Sequence, residues 1–260
     1  MFTTNPFAEL STVIPPVAMQ TYVLVMILLV VGGTLYDVLH KKSAKYFFEN
    51  WRHTRSRGAR QVEGGQMVSL AVGTAVESLT SGEFCTTRRR VAHLLTMYGF
   101  LLYVVTTAIM VFGYPTPETQ TPAIVPLLWY LGALMVCVGG YWFWVFIRVD
   151  VAAEGNSPFR LVRADLFVLS LLASTTLGLI WAILQYGGYS LSVVVLGLYL
   201  IATTVLFGSV PWSKFSHMFF KPAAAFQRRV AEANGYRTDL PGPADMPEKF
   251  GSARTLPRHY

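Results

Sequence analysis

The placement of positive charge constrains this chain more than any other feature. Five apolar stretches, each long enough to cross ~30 Å of hydrocarbon at ~1.5 Å per helical residue, divide the polar segments into two alternating sets. All 21 lysines and arginines fall in one set: Lys41 to Arg60, Arg88 to Arg90, Arg148 to Arg163 and Lys214 to Arg258. The other set, Met1 to Val17, Tyr114 to Pro122 and Gly187 to Ser190, holds none. Basic loops stay on the cytoplasmic side, so the partition predicts an all-α integral membrane protein of five transmembrane helices, with the N-terminus outside and the C-terminus cytoplasmic.

Composition agrees. A chain that is 53% hydrophobic and 13% charged exceeds what a soluble domain of this size carries. The net charge of +7 resides in the loops assigned to the cytoplasm, where it meets anionic membrane lipids or an acidic protein partner rather than nucleic acid. Cys85 lies in a loop and Cys137 inside a span. They are too few for an iron–sulfur cluster and too different in depth for a disulfide. Met1 to Pro16 lacks the basic start of a signal peptide, so the first span is expected to be retained.

The expected organisation is a periplasmic segment 1–18, a membrane domain 19–222 and a cytoplasmic tail 223–260. The spans fall at about 19–40, 90–113, 123–148, 164–186 and 191–212, with a basic cytoplasmic loop 41–89 after the first. That loop mixes cations with Tyr46, Phe47, Phe48 and Trp51, which suits a segment lying along the headgroups. Within it, Met67, Leu70, Ala71 and Thr74 follow helical spacing and predict a short amphipathic helix over Gln66 to Leu79. Gly132 and Gly139, seven residues apart, share a face of the third span and invite close approach of another helix. Pro211 should kink or end the fifth helix by removing a backbone donor. The tail reads as a docking arm, and LPGPADMP at 240–247 precludes a continuous helix there.

Two of the five histidines stand at matching depth on different helices. His93 enters the membrane at the start of the second span and His217 leaves it at the end of the fifth. Two neutral imidazoles facing each other across a bundle are what a low-spin haem iron requires, so both are candidate ligands of a haem b. Each then needs its second ring nitrogen held by a partner, for which Thr96 and Ser213, one turn away, are candidates and backbone carbonyls would serve as well. Arg90 and Lys214 stand where haem propionates would meet water. Asp37 and His40, one turn apart at the end of the first span, are candidates for proton exchange with a quinone. The plainer alternative makes each histidine an interfacial residue bonded to headgroups or a loop. No CxxCH motif is present, so covalent haem attachment is excluded. The sequence shows neither a fixed-period repeat nor a charge in the middle of a span, so a solute or ion carrier is disfavoured.

With histidines on spans two and five, the chain resembles the gamma subunits of respiratory nitrate reductases and related cytochrome b anchors. More specifically, NPFAEL, VVGGTLYDVLHKKSAKYFF, TRRRVAHLLTMYGFLLYVVTTAIMVFGYPTP, AAEGNSPFRLVRADLF, GSVPWSKFSHMFFKPAAAFQ and the terminal LPRHY are similar to the membrane anchor subunits of adenylylsulfate reductase in sulfur-oxidising bacteria. That resemblance implies a non-catalytic subunit of an oxidoreductase in the bacterial inner membrane. It implies a cytoplasmic flavin and iron–sulfur reductase as partner and electron exchange with the quinone pool. In the nitrate reductase pattern two further histidines hold an outer haem; here those places fall on Tyr103 and Tyr199, which leaves at most one haem b, near the cytoplasmic face. The alternative is a cofactor-free structural anchor that only recruits the reductase.

Overall fold

The computed structural model describes residues 1–40, 43–58, 60–82, 86–148, 161, 165–212 and 217–235, except the side chains of Ser43, Arg57 and 217–220. The described residues are helical with no strand: α1 Pro6–Leu10, α2 Pro16–His40, α3 Ser43–Arg57, α4 Gly64–Thr80, α5 Thr87–Ala108, α6 Ile124–Trp142, α7 Leu166–Tyr186, α8 Ser192–Gly208 and α9 His217–Ala233. The helices α5 and α6 each run on into a π turn, Ile109–Gly113 and Phe143–Ile147. Four helices, Pro16–His40, Thr87–Gly113, Ile124–Ile147 and Leu166–Tyr186, are long and apolar enough to cross a membrane. The expected fifth span is shorter, because α8 stops at Gly208 and the chain tightens into a 3-10 turn at Val210–Trp212. Pro211 lies inside that turn, where its missing N–H is tolerated.

The chain divides into two compact units, Met1–Lys41 with Glu77–Met218, and Lys42–Val76 with Phe219–Tyr260. In the first, α5 and α6 pack backbone to backbone. A Cβ added at Gly99 would come 2.8 Å from the Gly132 carbonyl, and one at Gly139 would come 2.7 Å from the Ala92 carbonyl. Small residues seven apart on both helices thus form the seam that the spacing of Gly132 and Gly139 predicts. The antiparallel pair α7 and α8 is joined by a tight turn in which Gly188 adopts φ +68, a conformation natural to glycine. The end of α2 meets the 3-10 turn at Gly33, where a Cβ would lie 3.1 Å from Val210 and Pro211.

The segments without cations gather at one end of this unit. Asn5 caps α1 by accepting from the backbone N–H groups of Phe7 and Ala8, and its amide donates to the Tyr114 carbonyl at 3.0 Å and to Thr121 at 3.1 Å. Gln185 donates to the Pro6 carbonyl at 2.7 Å. Beyond the other end of α6, Arg148 lies over the Trp144 ring and pairs with Asp165 through its Nε at 2.8 Å. In the second unit α9 packs on α3. Trp51 stacks between Phe47 and Phe226, Gln227 donates to the Phe47 carbonyl at 2.8 Å, and Asn234 donates to the Thr54 carbonyl. The expected tail boundary at 222/223 falls inside α9, next to Pro222.

Candidate functional site

α5 begins at Thr87 and carries Arg88, Arg89 and Arg90 on its exposed first turn. Three side chains from its first turns converge on the end of α4. Arg90 Nε donates to the Thr80 carbonyl at 2.9 Å, Tyr98 donates its hydroxyl to the Leu79 carbonyl at 2.9 Å, and His93 Nδ1 lies 2.8 Å from Ser81 Oγ. The last carbonyls of a helix have no partner within it, and here a neighbouring helix supplies two of the missing donors. The turn itself closes through Gly82 N–H to the Glu77 carbonyl at 2.9 Å and Ser81 N–H to the Ser78 carbonyl at 3.3 Å. These bonds form a Schellman motif with Ser81 at its left-handed position. Ser81 has φ 52 and is 1% exposed.

His93 is half-buried. Its oriented nitrogen is held by Ser81, not by Thr96, whose hydroxyl donates to the Ala92 carbonyl at 2.9 Å along its own helix. A hydroxyl satisfied by the carbonyl one turn back is the local default in a helix, and Thr96 follows it. The Ser-Gly step that ends the apolar run of α4 was the available signal. His217 opens α9, but its side chain, with Ser213 and Lys214, lies outside the described residues, as does Cys85. Two contacts define how α5 and α8 run past each other: Tyr103 against Tyr199 and, nearer the start of α5, Phe100 against Phe207 with ring centroids 6.4 Å apart.

Asp37 and His40 differ in setting. The Asp37 carboxylate is buried, 2% exposed, one turn beyond Gly33, while His40 is exposed and its ring stacks on Tyr36 at 5.3 Å. Cys137 is half-buried, 3.6 Å from the hydroxyls of Thr175 and Thr176.

Ten residues along α5 from His93, the centre of the unit is filled with rings. The Tyr103 hydroxyl donates to the Tyr199 hydroxyl at 2.8 Å. Tyr103 stacks on Trp129 at 5.1 Å and Tyr199 on Trp181 at 5.8 Å, and Phe7 reaches both indoles. Trp129 Nε1 donates to Thr107 at 2.9 Å, and Ser174 pairs with Thr203 at 2.8 Å. Gly178 makes room for the phenols, since a Cβ there would stand 2.7 Å from the Tyr103 hydroxyl. Buried hydroxyls and an indole N–H are thereby bonded where water is scarce.

An imidazole whose Nδ1 hydrogen is accepted by a hydroxyl presents Nε2 as its lone-pair nitrogen, the form in which histidine binds a metal. If Ser81 is the acceptor, His93 would be in that form, and the donor chemistry at the start of α5 would then suit a histidine ligand of haem iron. The packed rings further along the bundle hold no such donor. Comparison with protein-family models, with curated proteins and with solved structures finds no match.

Proposed function

We propose that this protein is the membrane anchor and electron-transfer subunit of a bacterial inner-membrane complex, and links a cytoplasmic adenylylsulfate reductase to the quinone pool. On this reading α2, α5, α6, α7 and α8 are five spans, with the N-terminus outside and the C-terminus cytoplasmic. The partition of cations supports that orientation, and so does the gathering of the cation-free segments around Asn5 and Gln185. His93 and His217 would hold one haem b near the cytoplasmic face, with Arg90 and Lys214 opposite its propionates. Bound there, the group supplies one-electron exchange between reductase and quinone. Asp37 and His40 are assigned to proton exchange with a quinone on the same side. The basic loops and tail dock the reductase.

The observation that carries the reading is the Ser81 hydroxyl on His93 Nδ1 at 2.8 Å. A merely interfacial histidine has no need of a buried orienter in a strained turn. A second reading, a cofactor-free anchor, is favoured by the packed centre around Tyr103 and Tyr199, which fills the outer half of the bundle with side chains. The visible spectrum of the purified, reduced protein separates the two. An alpha band that is present in the wild type and lost in His93→Ala and in His217→Ala supports ligation. A colourless wild type leaves the anchor alone.

A further inference from the structure

We infer that Ser81 is the positioning residue of the haem ligand, and that the end of α4 is strapped to α5 in order to present its hydroxyl to His93. The inference rests on the haem reading above and adds a residue that faces no cofactor. Ser81 occupies the C′ position of a Schellman motif, where glycine is the unstrained choice and asparagine the next. A serine there, at φ 52, incurs the left-handed penalty of an L residue, and a turn needing only to reverse the chain gains nothing from it. What the side chain adds is a hydroxyl, 1% exposed and 2.8 Å from His93 Nδ1.

Two further bonds fix the turn in place. Arg90 and Tyr98 flank His93 on α5 and hold the carbonyls of Thr80 and Leu79, the two residues just before Ser81. Three consecutive residues of the α4 terminus are thus fastened to three side chains spread over about two turns of α5. The hydroxyl is therefore held from both sides along the helix axis and does not depend on its own rotamer alone.

The direction of the hydrogen bond follows from the ligation it serves. With a haem iron held at Nε2, the ring proton of His93 would reside on Nδ1 and Ser81 Oγ would accept it. Accepting that proton raises the electron density of the imidazole and favours the oxidised iron, which lowers the potential of the couple. Removing the acceptor reverses both effects.

The test compares the wild type with Ser81→Ala, Ser81→Gly and Ser81→Asn, each purified as the full chain. Midpoint potential is followed by spectroelectrochemical titration and haem release by transfer to an excess of a haem-scavenging protein. Ser81→Ala and Ser81→Gly are expected to release haem roughly 10–100-fold faster, the range found when orienting partners of metal ligands are removed, and to titrate at a more positive potential. Ser81→Gly also relieves the backbone, so its thermal unfolding midpoint should equal or exceed that of the wild type. Ser81→Asn, which keeps an acceptor and tolerates the left-handed region, should restore most of both haem properties. Wild-type potential and release in the Ala and Gly variants would overturn the assignment while leaving the haem reading intact. An Asn variant no better than Ala would overturn the acceptor role. A colourless wild type overturns both readings.

Discussion

Tyr103 and Tyr199 fill the centre of the bundle with two phenols bonded to each other. Each phenol stacks on its own tryptophan, and the two hydroxyls meet at 2.8 Å. Losing one hydroxyl leaves the other in a site with few substitutes, whereas losing both removes donor and acceptor together. Tyr103→Phe or Tyr199→Phe should each lower stability by about 1–2 kcal/mol. The double variant should fall short of their sum, as measured by unfolding in mixed detergent micelles. Strict additivity would mean that the pair is not coupled. His93 was singled out in the sequence because the cation pattern alone gives it an expected depth. Ser81 was not, since its contact with His93 depends on where the end of α4 meets α5, and no local periodicity encodes that contact.

At the scale of elements, the α5–α6 seam separates glycines by what their missing side chain avoids. A Cβ at Gly132 would meet backbone, the Gly99 carbonyl and the Tyr103 nitrogen at 2.8 Å, whereas one at Gly140 meets only the Leu172 side chain. Gly197 in α8 has nothing within 4 Å. Gly132→Ala should therefore destabilise by about 1–3 kcal/mol, Gly140→Ala by less, and Gly197→Ala should be neutral or stabilising by up to about 1 kcal/mol through helix propensity. Thermal unfolding of the three variants in one detergent checks the order. An equal effect at Gly132 and Gly197 would remove the seam from the account. The seven-residue spacing of Gly132 and Gly139 announced this seam, and the amphipathic stripe announced α4 to within two residues at its start and one at its end. The π turns that finish α5 and α6 were not legible, because continuous apolar sequence supports either hydrogen-bond register. Nor was the persistence of α9 past Pro222, where packing of Phe226 on Trp51 outweighs one lost backbone bond.

For the whole molecule, the asymmetry of charge is, on the proposed reading, both the orienting feature and the docking surface, and α9 determines how that proposal can be tested. Residues 236–260 contain Arg237, Lys249, Arg254 and Arg258 beside Asp239, Asp245 and Glu248. Residues 223–235 do a different job, since Phe226, Gln227 and Asn234 hold α3. Deleting the entire stretch from Ala223 would remove the proposed docking arm and unfasten α3 at once. Ending the chain at Gly235 separates the two roles. In that shorter deletion, membrane insertion and the resistance of Arg52 and Arg55 to trypsin should match the full chain, while co-purification of the cytoplasmic reductase falls. In the longer deletion, cleavage at Arg52 and Arg55 should accelerate as well, because Trp51 and Thr54 lose the partners that order this helix. The residual association should weaken further as salt rises, since attraction between exposed charges is screened over ~8 Å at physiological ionic strength. Full retention of the reductase by the chain ending at Gly235, still weakened by salt, would move the docking site away from the tail. Because the basic segment Lys41 to Arg60 would then be the remaining large concentration of charge on the same side, charge reversal at Arg52 and Arg55 is the variant that would locate it.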